Sequence, residues 1–246
     1  MILEVINVTK RFGGLTAVDN VSFKVGPTEV LGIIGPNGSG KTTLFNLMTG
    51  FLRPDKGSII FNGTNIVGKK PHQIANMGMI RTWQLVKPFL RMSVFDNVLV
   101  ALYVRNGIIK GEDEYRLVGR ATEILELVGL NHRKYATAEI LPQGEKKRLE
   151  LARALATEPR VLMLDEPTGG LTTTETNEII RVVEKIKESK ITVILIEHNM
   201  KFIMDVCDRI IALNYGKKIA EGSPEQVSKN SEVLKAYLGE KFYVGS

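Results

Sequence analysis

The stretch Gly35-Pro36-Asn37-Gly38-Ser39-Gly40-Lys41-Thr42 constrains this chain more than any other, because it fits G-x-x-x-x-G-K-[ST] at every fixed position. An apolar run, Val30-Leu31-Gly32-Ile33-Ile34, leads into it, and Thr43-Leu44-Phe45-Asn46-Leu47-Met48 leaves it with the spacing of a helix that packs one face. Strand, glycine-rich turn and helix in that order make a phosphate-binding loop. Glycines at 35, 38 and 40 let the backbone turn tightly and aim successive N–H groups inward, and the helix N-terminus adds positive potential there. Lys41 brings a cation to the β- and γ-phosphates, and the Thr42 hydroxyl suits Mg²⁺ in size and hardness. The competing reading is a glycine-rich turn with a solvated lysine, and the two flanks disfavour it.

With 246 residues the chain is long enough for one large α/β unit, and 43% apolar with 24% charged residues excludes fibre and disorder. No apolar run approaches the ~18 residues that a membrane span requires. The start, Met1-Ile2-Leu3-Glu4-Val5, lacks a basic region and an apolar core, so the expected location is the cytoplasm. The single cysteine, Cys207, excludes an internal disulfide and reads as a buried thiol in an apolar helical pattern. The formal charge of +6 comes from scattered lysines and arginines with no basic stripe among aromatics, so no nucleic acid partner is expected.

Taken in order, Ile2 to Val8 and Val21 to Val25 read as strands around the turn Lys10-Arg11-Phe12-Gly13-Gly14. Phe12 suits either stacking on an adenine or packing in a hairpin. Gly78 to Gln84 reads as a strand ending in an amide, and Gln84 suits a metal, a water or an ordinary exposed loop. From Ser93 to about Leu155 the pattern is mainly helical, with Arg105 to Arg116 as an exposed connection and a helix starting near Gly144. Arg160 to Pro167 holds an apolar strand too continuous to be half exposed, which places it in a parallel sheet covered on both faces. At its carboxyl end, where open α/β sheets bind ligands, Asp165 can hold Mg²⁺ through water and Glu166 can orient the water that attacks a γ-phosphate.

Thr172-Thr173-Thr174-Glu175 reads as a capping box opening a helix to about Glu188, and Ser223-Pro224-Glu225-Gln226 as a second helix start. Ile191 to Ile196 is another buried strand ending in Glu197-His198. His198 suits a γ-phosphate or a satisfied loop position. His72 and His132 have no such companions, and no cluster carries zinc spacing. Asp208 to Leu213 and Lys217 to Gly222 read as closing strands.

This ordered set, the loop 35–42, Gln84 after a strand, the short motif Leu141-Pro142-Gln143-Gly144-Glu145 before a helix, Asp165-Glu166 and His198, resembles the nucleotide-binding subunit of ATP-binding cassette (ABC) transporters across essentially the whole chain. The fold so implied is α/β: a P-loop NTPase core with a mainly parallel sheet, an N-terminal antiparallel β part and a helical insertion. It forms a single ABC ATPase domain over 1–246, with the core in about 1–85 and 158–246 and the helical subdomain in about 86–157. The resemblance makes Phe12 the adenine-stacking aromatic, residues Gly35, Pro36, Asn37, Gly38, Ser39, Gly40, Lys41, Thr42 and Thr43 the cradle for ATP, and Thr42, Gln84 and Asp165 the side chains around Mg²⁺. Glu166 becomes the catalytic carboxylate, and Gln84 and His198 the switch residues.

Two such subunits sandwich two ATP molecules in that family, so Gln143 and Gly144 would complete the partner subunit's site. Integral membrane permease subunits would dock near Gln84 and the helical insertion, with Trp83, Phe89 and Phe95 as apolar contacts or as core. Arg81-Thr82-Trp83-Gln84, Ile196-Glu197-His198-Asn199-Met200 and the tail Ala236-Tyr237-Leu238-Gly239-Glu240 are similar to the branched-chain amino acid uptake subgroup, which also implies a separate solute-binding protein and a place on the inner face of the cell membrane. Export-type ATPases for lipopolysaccharide share some of these features, and soluble cassette proteins form another class. Two positions depart from the family pattern: Pro142 stands where serine is usual, and Thr172 where aspartate is usual. A weakened motif at 141–145 implies a different cassette subunit as partner, hence a heterodimer.

Overall fold

The computed structural model describes residues 1–83, 88–106 and 112–238. The chain opens with strands β1 (Leu3–Phe12), β2 (Leu15–Val25) and β3 (Val30–Ile34), then helix α1 (Lys41–Met48), strands β4 (Lys56–Phe61) and β5 (Thr64–Asn65), helix α2 (Pro71–Asn76) and strand β6 (Met79–Arg81). Helices α3 (Val94–Asn106), α4 (Glu112–Leu127) and α5 (Gln143–Leu155) follow. Then come β7 (Val161–Asp165), α6 (Thr173–Glu188), β8 (Thr192–Ile196), α7 (Met200–Val206), β9 (Arg209–Asn214), β10 (Lys217–Gly222), α8 (Pro224–Ser228) and α9 (Ser231–Leu238).

The strands form two sheets, β2-β1-β4-β5, which is antiparallel, and β10-β9-β3-β8-β7-β6, which is parallel except at the β9-β10 pair. Every residue of β3, β7 and β8 is buried, as expected for parallel strands covered on both faces. Because successive side chains point to opposite faces, these strands divide between two apolar clusters. Val30, Leu162, Leu164, Val193 and Leu195 pack with α3 to α6, while Leu31, Ile33, Met163, Ile194 and Ile196 pack with α1 and the antiparallel sheet. Both clusters share the sheet, so its carboxyl edge is held from two sides.

Several boundaries differ from the sequence reading. The first two strands are longer than expected and the hairpin turn shrinks to Gly13-Gly14, because register shifts along β1 and β2 let polar residues continue the ladder. Asp55 secures the polar end, accepting from Lys10 at 2.9 Å and from the Arg11 N–H at 2.6 Å. The connection read over Arg105 to Arg116 narrows, since α3 reaches Asn106 and α4 begins at Glu112; its middle, 107–111, lies outside the described residues. Cys207 is buried at the C-terminal cap of α7 rather than inside a helix. Both capping boxes form as read, Thr172 with Glu175 and Ser223 with Gln226. No helix among the described residues is long and apolar enough to cross a membrane.

Candidate functional site

The loop between β3 and α1 depends on glycine at its two ends. Gly35 (φ 150°) and Gly40 (φ 103°) occupy backbone regions that side chains rarely adopt, and a Cβ on either would run into a backbone carbonyl, of Leu213 or Ala17. Gly40 is also the N-cap of α1 and offers no capping side chain, so the first N–H groups of that helix remain available to an anion. The Lys41 ammonium folds back over the loop and donates to the carbonyls of Gly35 (2.7 Å) and Pro36 (3.0 Å). Burial lowers its pKa, and the nearby carboxylates of Glu166 and Asp165 oppose that shift. A cation held by two carbonyls beside the open N–H groups of a helix start is poised for a polyanion.

A cavity of about 370 Å³ opens on this loop, and Phe12, residues 37–43, Glu166 and Tyr215 line it. Phe12 stands at the end of β1, half exposed, with the Lys10 ammonium 5.6 Å from its ring centre. An aromatic face, a phosphate cradle and a carboxylate therefore share one cleft of the size small ligands occupy. A larger cavity of about 720 Å³ lies on the other flank, between residues 36–39 and α9. It lacks Lys41, Thr42 and Glu166, so the phosphate chemistry belongs to the smaller one.

Asp165 and Glu166 follow one another off the end of β7. Glu166 has φ 47°, a left-handed conformation that costs a residue with a side chain about 1–3 kcal/mol. Its N–H donates to the Ile196 carbonyl at 3.0 Å and its carbonyl accepts from Gly169 at 3.1 Å, which hold that turn in place. The turn aims the two adjacent carboxylates differently: Glu166 into the cavity, Asp165 to the Arg81 guanidinium at 2.6 Å. His198 stands at the end of β8 with Nδ1 3.9 Å from the Glu166 carboxylate and a largely exposed ring.

The other expected residues fall elsewhere. Gln143 and Gly144 open α5, where Pro142 is the N-cap and gives no side-chain bond, and neither lines the cavity. The Gly144 N–H donates to the Glu175 carboxylate at 3.1 Å. Gln84 lies outside the described residues. Trp83 is exposed and meets Phe51 edge to face at 5.0 Å; Phe89 is exposed beneath Arg153; Phe95 is partly buried against the core.

Sequence reading passed over Glu197, which is fully buried and accepts from the N–H groups of Thr168 (2.9 Å), His198 (2.8 Å) and Asn199 (3.1 Å) and from the Thr168 hydroxyl. One carboxylate thus fastens the turn after Glu166 to the strand end that carries His198. A charged residue closing an otherwise apolar strand was the available signal. Arg81 and Tyr237 were also missed; the hydroxyl of Tyr237 accepts the Gly35 N–H at 2.8 Å.

Comparison with known proteins supplies the family. A family model described as ABC transporter matches residues 18–169, and one described as branched-chain amino acid ATP-binding cassette transporter matches residues 217–243. The high-affinity branched-chain amino acid transport ATP-binding protein BraF of Pseudomonas aeruginosa is 42% identical over 250 residues, covering 97% of this chain and 98% of BraF. The lipopolysaccharide export system ATP-binding protein LptB of Haemophilus influenzae is 33% identical over 241 residues, covering 98% of each. Among solved structures, the ADP conformation of MJ1267, an ATP-binding cassette of an ABC transporter, superposes with a TM-score of 0.86 at 34% identity, covering 97% of this chain and 99% of that one. A phosphate loop, an acidic strand end and a match over nearly the full length lead to one conclusion: this chain belongs to the ABC transporter family and is one of its ATP-hydrolysing cassettes.

Proposed function

We propose that this chain powers the import of branched-chain amino acids, as the ATPase subunit of a complex with integral membrane permease subunits, a second cassette subunit and a separate solute-binding protein, on the inner face of the cell membrane. The observation that carries the chemistry is the single cavity in which the loop residues 37–43 face Glu166. Support for the substrate is the greater likeness to BraF than to LptB, together with the match at 217–243. The exposed pair Phe51 and Trp83, in edge-to-face contact at 5.0 Å, offers an apolar surface suited to a membrane partner, and Phe89 and Leu90 are exposed as well.

In this reading ATP lies with its adenine on Phe12 and its phosphates on the N–H groups of residues 38–43, Lys41 releasing its carbonyls to meet them. Mg²⁺ fits the donors present, since Thr42 and Asp165 bring hard oxygens, and Mg²⁺ is usually held by one or two protein groups together with the nucleotide's phosphates. When bound it neutralises charge on the phosphates. Glu166 accepts a proton from the attacking water, and His198 beside it bonds the γ-phosphate. Gln84, outside the described residues, keeps here the switch role that the family resemblance implies.

The test is Glu166→Gln in the assembled complex. ATP binding should persist while single-turnover hydrolysis falls by about 10²–10⁴, the contribution of a positioned general base. Near-normal turnover would move that role away from Glu166. For the substrate, vesicles carrying the complex and its solute-binding protein should take up labelled leucine when ATP is enclosed. Equal uptake of leucine and of a charged amino acid would defeat the branched-chain assignment.

A further inference from the structure

Arg81 closes β6, where its backbone pairs with Met163 of β7. Met163 and Asp165, two residues apart on one strand, point to the same face of the sheet, the face that packs α1. Arg81 reaches into that layer with its side chain only 5% exposed, its guanidinium 5.5 Å from the Phe45 ring centre and 4.5 Å from that of Trp83. The two arms of the fork then go to different elements. Nη2 donates to Asp165 Oδ2 at 2.6 Å, and Nη1 to Asn46 Oδ1 at 2.5 Å. Asn46 lies four residues after Thr42 on α1, one turn along the same helix face.

A planar, always charged guanidinium therefore spans the helix that carries Thr42 and the strand that carries Asp165, and it sits three residues before Gln84. Buried ion pairs contribute little net stability compared with apolar packing, so a need for stability does not by itself account for a charge at this position. Groups that orient a metal's ligands do account for one.

We propose that Arg81 is a positioning residue for the Mg²⁺ that accompanies the nucleotide. By engaging Oδ2 it fixes the orientation of the second Asp165 oxygen, and by holding Asn46 it sets the separation between Asp165 and Thr42. The proposal rests on the assignment of Thr42 and Asp165 to Mg²⁺, and the experiment separates the two.

ADP is titrated into the full chain with Mg²⁺ and again with EDTA, so that no turnover intervenes, and the ratio of the two affinities gives the gain from metal. In Arg81→Lys and Arg81→Met that gain should fall by about tenfold or more, the loss typical when a group orienting a metal ligand is removed. Affinity in EDTA should stay within about twofold of wild type, which a general loosening of the site would not allow. Asn46→Ala removes one arm only and should show a smaller loss in the same direction, whether or not the buried substitution at 81 folds. An undiminished gain in Arg81→Lys and Asn46→Ala overturns the proposal. So does a larger gain in Arg81→Met, which would mean that arginine competes with the metal for Asp165. Thr42→Ala is the control for the site: if wild type and Thr42→Ala show the same gain, the metal assignment fails along with the inference.

Discussion

The hydroxyl of Tyr237 accepts a 2.8 Å hydrogen bond from the N–H of Gly35, joining α9 to the first glycine of the phosphate loop across 202 positions of sequence. Burial pushes the phenol above its ordinary pKa, with the Gly35 N–H opposing, so the ring stays neutral at physiological pH. Tyr237 also falls within the segment matched to the branched-chain cassette family. Tyr237→Phe should lower stability by about 0.5–1.5 kcal/mol, the usual net worth of one such bond. Denaturant midpoints measured with and without ATP check this, and an unchanged midpoint would show that water replaces the hydroxyl at no cost.

Lys41 makes its two bonds to carbonyls of its own loop, 2.7 and 3.0 Å away, and none of them belongs to the core packing. Replacing it with alanine therefore removes a phosphate contact and leaves the fold. A hydrogen bond from a charged group contributes about 1.5–3 kcal/mol, so ATP affinity should fall by roughly 10–150-fold in Lys41→Ala. Titration beside a thermal melt reads both effects. Unchanged affinity would remove the phosphate-binding role from residues 35–42.

Cys207 is buried, and burial with the nearby Asp208 and Glu197 raises its pKa to about 12. An unfolded cysteine releases its proton near the ordinary value of about 8.5. The unfolded chain therefore loses this proton first, and rising pH favours it. The stability that the protonated thiol contributes is complete below about pH 8.5 and is lost as pH climbs towards the folded value. Between pH 7.5 and 10, wild type should lose about 2 kcal/mol more than Cys207→Ala, a difference that cancels every ionisation the two share. Parallel curves for the two proteins would show that the thiol is not held in its neutral form. At pH 8 only about one thiol in ten thousand is ionised, so a disulfide reagent should react slowly until the chain unfolds.

What could be read beforehand was local. The strand-loop-helix at 30–48, the strand end that carries Asp165 and the caps at Thr172 and Ser223 each consist of neighbours whose types decide their local geometry, and these elements formed as expected. The contacts of Arg81, Glu197 and Tyr237 could not be read, although the residues themselves stood out, because they reach partners 84, 29 and 202 positions away. No period or motif connects such partners; the order of β6, β7, β8 and β3 in one sheet joins the first two pairs, and α9 brings Tyr237 to Gly35. The first hairpin was misjudged for a related reason. Its polar residues look like a turn in sequence, while pairing across the sheet keeps Lys10 and Arg11 in the strand.

The last expectation concerns the start of α5. Pro142 caps it without a side-chain bond, and proline supplies no N–H, so the end of this helix offers an anion less than a serine would. One of its N–H groups is already engaged, because that of Gly144 donates to Glu175 at 3.1 Å. The bonds from Thr172 and Gly144 hold the Glu175 carboxyl below its ordinary pKa, keeping it ionised at neutral pH. Glu145 is less of an obstacle than its charge suggests, since Arg133 at 3.1 Å pairs with it within the chain. If this helix end completes the partner's nucleotide site, a phosphate arriving there must displace Glu175 and finds no hydroxyl. The chain purified alone should therefore be mostly monomeric with slow hydrolysis, and a different cassette subunit should raise its activity. In that pair, Pro142→Ser adds one bond to a charged group, and if the bond strengthens in the transition state, hydrolysis at the partner's site should rise by roughly tenfold. Lys41→Ala in this chain should cost the pair more than the equivalent change in the partner, because the loop at 35–42 would meet the partner's own motif. A fully active homodimer in which Pro142→Ser changes nothing would show that the two sites are equivalent.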